Sequence, residues 1–164
     1  MNPPDTLNHD EIARRIPHHG DMCLLDRVTA WDDSQIHCQA SSHGAPGNPL
    51  RAHGRLGAAC GVEYAAQAMA VHGTLVGERL AGGADGNAAP RAGYLASIRS
   101  VTLHVDRLDL IPEPLLVSAE RSTGDGNTVL YSFSVKAGDT ALLDGRAVVV
   151  LDASALALPG TAPA

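Results

Sequence analysis

Residues 56–72, LGAACGVEYAAQAMAVH, form a run of seventeen residues without a proline. Alanine, leucine, methionine and glutamine favour the α-helix. The run is apolar on nearly every side, which is typical of a buried helix rather than a surface helix. Gly57, Gly61 and six alanines keep this helix slim. The run therefore predicts one long central helix that a sheet can approach closely.

Strand patterns lie on both sides of the predicted helix. Before it, residues 34–41 alternate Ile36, Cys38 and Ala40 with polar residues, which is the period of a half-buried strand. After it, Gly-Asp turns separate the last strand candidates, as hairpins require. We expect a two-layer α+β domain, in which one helix packs on an antiparallel sheet and the last four strands form a meander. The other expected elements are a helical turn at 11–16, a strand at 22–31, strands at 101–105, 115–121, 128–135 and 140–151, a connection at 77–93, and a tail at 153–164 after a single domain at 1–152.

Composition narrows the class of protein. The chain has 164 residues and a mass of 17.0 kDa, enough for one domain with a sizeable core. Its formal net charge is −6 without a basic patch, which argues against a nucleic-acid partner. No apolar run reaches the roughly 18 residues of a membrane span. Three cysteines without paired spacing do not form a disulfide framework, and the first residues lack the pattern of a signal peptide. We therefore expect a cytoplasmic protein.

Glu63 lies in the middle of the most apolar stretch of the chain. An isolated carboxylate in an apolar environment is costly, or its pKa rises. A raised pKa keeps a carboxylic acid protonated near neutral pH, as a general acid requires. Gln67, four residues further along the same helical face, is placed to orient the carboxyl group. The pattern predicts Glu63 as a catalytic acid, and the alternative is that it faces solvent or a subunit boundary.

His53 lies in the loop just before the helix and is the favoured candidate base, because histidine is the usual base near neutral pH. The start of a helix also offers unpaired backbone N–H groups, here expected at residues 56–59, with Gly57 and Ala58 at the centre. Such groups can bind a carbonyl oxygen that gains negative charge. The alternative is that His53 is an ordinary loop histidine.

Two adjacent histidines, His18 and His19, raise the question of a metal site. The other histidines are scattered, and none supplies a third ligand at a convincing spacing, so we expect no metal. Neither a dinucleotide-binding glycine pattern nor a nucleophile elbow is present in the sequence. We therefore expect no organic cofactor either.

Three motifs resemble the β-hydroxyacyl carrier-protein dehydratases of type II fatty acid synthesis. Residues 16–28, IPHHGDMCLLDRV, resemble the family's signature of Leu-Pro-His-Arg, a short apolar run and Val-Asp-Arg-Val. Residues 63–68, EYAAQA, resemble Glu-Ala-Met-Ala-Gln on its central helix, and residues 143–147, LDGRA, resemble a segment of its last strand. The motifs occur in the family's order. Residues 48–51 and 61–72 also resemble the divergent dehydratases of aryl polyene gene clusters.

The resemblance implies the hot-dog fold, an antiparallel sheet wrapped around one long helix. It also implies dimers with active sites at the subunit interface, where one subunit supplies a histidine base and the other a carboxylic acid. On this basis Glu63 is the acid, Gln67 its helper, and His53 the base. The family has Gly-His-Phe-Pro-Gly before the helix where this chain has Ala-His-Gly-Arg-Leu, and its spacing from histidine to acid is longer. His18, from the segment that shapes the family's substrate entrance, is the alternative base.

The expected function is therefore that of a 3-hydroxyacyl carrier-protein dehydratase in fatty acid or aryl polyene biosynthesis. The expected partners are an acyl carrier protein and a second hot-dog subunit, in a homodimer or a heterodimer. Two alternatives stay open. The chain could be a hot-dog acyl thioesterase, in which Glu63 activates water, or a non-catalytic subunit that completes the site of another chain.

Overall fold

A computed structural model describes residues 2–82, 94–125 and 127–150. The strands and α-helices in these ranges are β1 Leu7–Asn8, α1 His9–Ala13, β2 Arg27–Trp31, β3 Gln35–Ala40, α2 Gly61–Leu80, β4 Tyr94–Leu103, β5 Leu115–Gly124, β6 Thr128–Ala137 and β7 Thr140–Val150. Short 3₁₀ helices form at Gly20–Met22, Ser42–Gly44 and Ala58–Cys60. The predicted tail at 153–164 lies outside the described residues, as does the larger part of the predicted connection at 77–93.

The strands form one antiparallel sheet in the order β1-β2-β3-β5-β6-β7-β4. The predicted four-strand meander is wrong, because β4 pairs with β7 at the far edge and not with β5. The reason lies in the segment after β4, which runs back across the start of α2. There the Ala58 N–H donates to the Asp106 carbonyl at 3.0 Å, and the Leu108 N–H donates to the Leu56 carbonyl at 2.8 Å. The chain then joins the middle of the sheet as β5.

Helix α2 packs on the inner face of the sheet, against β3, β5 and β6. The strands alternate as expected for a half-buried sheet, since Val129, Tyr131, Phe133 and Val135 of β6 are buried. Gly61 allows the closest approach, because a Cβ atom there would lie 2.5 Å from Cδ2 of Leu143. An antiparallel sheet around one long central helix is the hot-dog fold, so the predicted α+β architecture is confirmed.

The central helix is longer than predicted. It follows the 3₁₀ turn at Ala58–Cys60 and continues to Leu80, eight residues beyond the predicted end at position 72. Glu78 accepts hydrogen bonds from Arg15 at 2.9 and 3.2 Å, and Arg79 pairs with Asp33 at 2.9 Å. These partners come from distant positions, so the local pattern gives no sign of them. In the described part of the chain, no helix is both long and apolar enough to cross a membrane.

Several other elements are shifted from their predicted positions. Helix α1 begins at His9, where Asn8 and Glu11 form a capping box, rather than at position 11. The strand predicted at 22–31 is shorter in the structure and begins at Arg27 as β2. The apolar residues before it are buried but do not pair in the sheet. Apolar character there reflects burial and not strand structure.

Candidate active site

The candidate site forms where the loop after α1 lies against the first two turns of α2. Glu63 projects from the first turn of the helix, and His18 comes from the loop. His18 Nε2 lies 3.0 Å from Glu63 Oε1. The Glu63 side chain is 33% exposed and that of His18 is 26% exposed, so both are accessible to a small molecule. Within one chain this side of α2 is only partly covered, which agrees with the alternative that Glu63 faces solvent or a subunit boundary.

Gln67 joins the helix to the loop. Its Oε1 accepts from the Leu24 N–H at 2.9 Å, while its Nε2 donates to the Met22 carbonyl at 2.7 Å and to Glu63 Oε1 at 3.2 Å. The backbone partners define the orientation of the amide, since an N–H can only donate and a carbonyl can only accept. Gln67 is fully buried and thus holds the carboxyl group of Glu63 in a fixed position. The predicted contact between Glu63 and Gln67 is present.

The two carboxylate oxygens of Glu63 differ in their surroundings. Oε1 contacts both His18 and Gln67, whereas Oε2 has no hydrogen-bond partner among the described residues. Nδ1 of His18 is buried and has no partner within the same ranges. The close contact with His18 and the hydrogen bond from Gln67 thus both involve Oε1, and Oε2 is left for another molecule.

His53 is placed differently from His18. It is exposed at the tip of a tight turn, in which Ala52 and Arg55 exchange backbone hydrogen bonds at 3.0 and 3.1 Å. No contact between His53 and Glu63 occurs in the described part of this chain. Within one chain, the structure brings His18 and not His53 to the carboxyl group.

The backbone N–H groups before α2 are only partly available. The Leu56 N–H donates to Asp109 Oδ1 at 3.0 Å, and the Ala58 N–H donates to the Asp106 carbonyl at 3.0 Å. The expectation that these two groups are free is wrong, because the segment after β4 pairs with them. The N–H of Gly57, between them, has no partner among the described residues.

A buried polar network behind Glu63 was not predicted from the sequence. The Tyr64 hydroxyl lies 2.7 Å from Oγ of Ser42 and accepts from Nδ2 of Asn48 at 3.1 Å. Ser42 Oγ in turn donates to the Leu24 carbonyl at 2.8 Å. The network fixes the loop at 42–48 and the loop after α1 to the same turn of the helix. The sequence carries no local signal for it, because the partners are up to 22 residues apart.

Metal-ligating side chains do not converge at this site. Across the described ranges, no group of three or more histidine, cysteine, aspartate or glutamate residues could hold a metal ion. The site offers one carboxyl group, one imidazole and one amide, which suit proton transfer more than metal binding.

Comparisons with known structures support the fold. One chain of the dehydratase heterocomplex ApeI:P from Xenorhabdus doucetiae matches with a TM-score of 0.70 and 22% identity, over 86% of this chain and 90% of that one. A thioesterase from Haemophilus influenzae matches with a TM-score of 0.59 and 9% identity, over 88% and 90%. A hypothetical thioesterase with coenzyme A from Streptococcus pneumoniae matches with a TM-score of 0.54 and 9% identity, over 76% and 84%. Among curated protein sequences, no significant match is found.

A comparison with family models gives a more specific result. The model described as ApeP dehydratase, of the ApeP-like family, matches residues 10–157. The match includes the loop with His18, the whole of α2 and all the strands from β2 to β7. The chain therefore belongs to the ApeP-like dehydratase family.

Proposed function

We propose that the protein removes water from a β-hydroxyacyl thioester carried on an acyl carrier protein and releases a trans-2-enoyl thioester, in fatty acid or aryl polyene biosynthesis. The observation that carries this proposal is the 3.0 Å contact between His18 and Glu63 at a partly open position on the central helix. Membership of the ApeP-like dehydratase family supports the reaction type.

The reaction needs one base and one acid. The thioester carbonyl acidifies the neighbouring C–H bond, and the base takes that proton while a carbon–carbon double bond forms. The C–O bond at the β position breaks, and the hydroxyl group leaves as water after it receives a proton from the acid. The base has then gained one proton and the acid has lost one. Because His18 Nε2 and Glu63 Oε1 are within hydrogen-bond distance, that proton can return directly. The elimination is redox-neutral and requires no cofactor.

We assign the acid to Glu63, with Oε2 facing the substrate, and Gln67 to its orientation. We assign the base to His18, because it is the histidine that lies beside Glu63 within one chain. His53 is exposed at the tip of its turn, so its role as a base requires the Glu63 of a second subunit. The Gly57 N–H, which has no partner among the described residues, is the donor that we assign to the thioester oxygen as it gains charge.

The proposed partners are an acyl carrier protein and a second hot-dog subunit. The inner face of β4 supports the proposal of a second hot-dog subunit. Leu95, Ile98 and Leu103 are exposed although they pair with strand β7 at the buried residues Val149, Ala147 and Leu143. In the described part of the chain this face lies next to a strand edge that pairs with no other strand, and such a combination is typical of an interface. A homodimer and a heterodimer both fit this surface.

Substitutions at the site test the proposal. Glu63→Gln keeps the shape of the side chain but removes the acidic proton, so we expect about 10²–10⁴-fold slower dehydration with the fold intact. Glu78→Gln is the matched control, because it makes the same change on the same helix at the pair with Arg15. Its dehydration rate should stay close to that of the unsubstituted protein. Equal loss in both variants would assign Glu63 a structural role only.

The same assay distinguishes the two histidines. If His18 is the base, His18→Ala loses activity to a similar extent as Glu63→Gln, and His53→Ala keeps it. If His53→Ala is inactive and His18→Ala is active, the base comes from a second subunit. If both variants keep full activity, this chain is the non-catalytic half of a heterodimer, and the dehydratase assignment for it is wrong.

A thioesterase activity is the second candidate, since several structurally similar proteins are thioesterases. In that case Glu63 would activate water for attack on the thioester carbonyl. The products separate the two reactions, because dehydration keeps the thioester and hydrolysis releases a free acid and a thiol.

A further inference from the structure

The turn that carries His53 has an unusual and well-defined backbone. His53 has φ = 53° and Gly54 has φ = 75°, so both central residues of the turn are left-handed. Together with the bonds between Ala52 and Arg55, these angles describe a type I′ turn. Positive φ is uncommon for a residue with a side chain and persists only where the surroundings enforce it.

The surroundings that enforce this turn converge on Asp109, whose side chain is only 3% exposed. Its Oδ1 accepts from the Leu56 N–H at 3.0 Å and from Arg107 Nε at 2.9 Å. Its Oδ2 accepts from Nη2 of Arg107 and, at 3.3 Å, from Nη2 of Arg51, which also donates to the Gly54 carbonyl at 3.3 Å. The buried carboxylate of Asp109 thus binds Arg51, just before the turn, and Leu56, just after it.

The same carboxylate affects the unpaired N–H of Gly57. Leu56 and Ala58 form hydrogen bonds with the segment after β4, and Gly57 lies between them opposite Arg107. Because bonded and non-bonded positions alternate along an antiparallel pair, the Gly57 N–H points away from that segment. The hydrogen bond from the Leu56 N–H to the Asp109 carboxylate is the last one between these two segments. If Asp109 released Leu56, the direction of the Gly57 N–H would depend only on the hydrogen bonds of the Ala58 N–H and the Leu56 carbonyl with the segment after β4.

Hydrogen bonds from Arg107 and from the Leu56 N–H hold the pKa of Asp109 well below its usual range. The carboxylate is therefore ionised near neutral pH and carries its charge in the contacts with both arginines.

We propose that Asp109 is a positioning residue, which fixes residues 51–57 so that the Gly57 N–H and His53 are held in place at the start of α2. This inference rests on the proposed function and deepens it, because it names a residue outside the site on which the arrangement of the site depends. Asp109 touches no substrate in this account and acts through the backbone of the turn.

The test compares Asp109→Asn with Asp33→Asn, which removes an exposed carboxylate partner of Arg79 at the other end of the helix. Steady-state kinetics use β-hydroxyacyl pantetheine thioesters, and amide hydrogen exchange is followed for residues 52–57 and for the centre of α2. For Asp109→Asn we expect kcat to fall about 10- to 100-fold with little change in KM. Exchange should become faster at residues 52–57 but not in the centre of α2. Asp33→Asn should change neither kcat nor the amide exchange at residues 52–57.

Arg51→Gln is the second variant, in case Asp109→Asn does not fold. It frees one end of the turn and leaves the bonds from Leu56 and Arg107 to Asp109 in place, so we expect faster exchange at residues 52–55 and a smaller loss of kcat. Faster exchange with unchanged kcat in either variant, or unchanged exchange, overturns the proposal. If the unsubstituted protein dehydrates no thioester, alone or with a partner subunit, the proposed function itself fails, while the exchange rates at residues 52–57 still decide whether Asp109 holds the turn.

Discussion

At Gly61 the absence of a side chain sets the distance between the central helix and strand β7. A Cβ atom there would come within 2.5 Å of Leu143, which is fully buried and has little room to move. Gly61→Ala should therefore destabilise the protein by about 1–3 kcal/mol through overpacking, measured by chemical unfolding. Gly73→Ala on the same helix is the control, since nothing lies within 4 Å of its added Cβ atom. Because alanine favours the helix more than glycine, Gly73→Ala should raise the free energy of unfolding by up to about 1 kcal/mol. If Gly61→Ala and Gly73→Ala change stability in the same direction, this account is contradicted.

The site residues differ in how far the sequence could predict them. Glu63 and Gln67 are four positions apart on one helix, so helical periodicity alone predicts their contact. His18 is 45 positions from Glu63, and only the folded loop brings them together. The sequence therefore favoured His53, which is closer along the chain, although His53 makes no contact with Glu63 within the described residues. Asp109 was not predicted at all, because its role depends on pairing between segments about 50 residues apart.

Among the secondary structure elements, α2 is connected to the rest of the fold by the buried His72. Its Nε2 lies 2.8 Å from the Asp32 carbonyl, just after β2, and its Nδ1 lies 2.7 Å from the Tyr131 hydroxyl on β6. A carbonyl can only accept, so Nε2 carries the proton and Nδ1 accepts from the tyrosine. Burial lowers the pKa of His72 below its ordinary value of 6.5, and the neutral imidazole is the form that fits.

Stability should therefore depend on pH in a defined way. Below about pH 6.5 the unfolded chain binds a proton at His72 before the folded protein does, so the free energy of unfolding decreases as the pH falls. Above that pH the contribution of His72 is constant. Thermal unfolding between about pH 8 and pH 5 should show this decrease, and His72→Gln should weaken it. His19→Gln, which changes an exposed histidine, should leave the slope as it is. An equal slope in all three proteins would contradict the assignment.

The elements themselves could be predicted where the pattern is local. The alternation of apolar and polar residues predicts β3 and β6 to within one or two residues. The helix-favouring composition of residues 56–72 predicts the central helix. The end of α2 could not be predicted, because long-range pairs with Arg15 and Asp33 hold it. The position of β4 could not be predicted either, because a strand's own residues do not say which neighbour it pairs with. Its pairing depends on the path of residues 104–114 across the helix.

For the molecule as a whole, strand β4 is the feature on which we base the expectation of a partner subunit. Its outer edge pairs with no other strand among the described residues, and its inner face is apolar and exposed beside the helix. We expect a dimer, either with itself or with a second hot-dog subunit, and Ile98→Lys should weaken it by placing a charge in the interface. Light scattering at micromolar concentration, alone and after mixing with the second subunit, measures this. A stable monomer under both conditions would contradict the expectation.

The central claim, that this chain dehydrates a β-hydroxyacyl thioester through Glu63, is tested most directly by product analysis. A β-hydroxyacyl carrier protein is incubated with the purified chain, alone and together with a second hot-dog subunit, and the intact carrier protein is analysed by mass spectrometry. We expect the carrier protein to lose the mass of one water and to keep its acyl group, and we expect Glu63→Gln to abolish this change. Release of the free acid, or equal dehydration by the Glu63→Gln variant, would contradict the account.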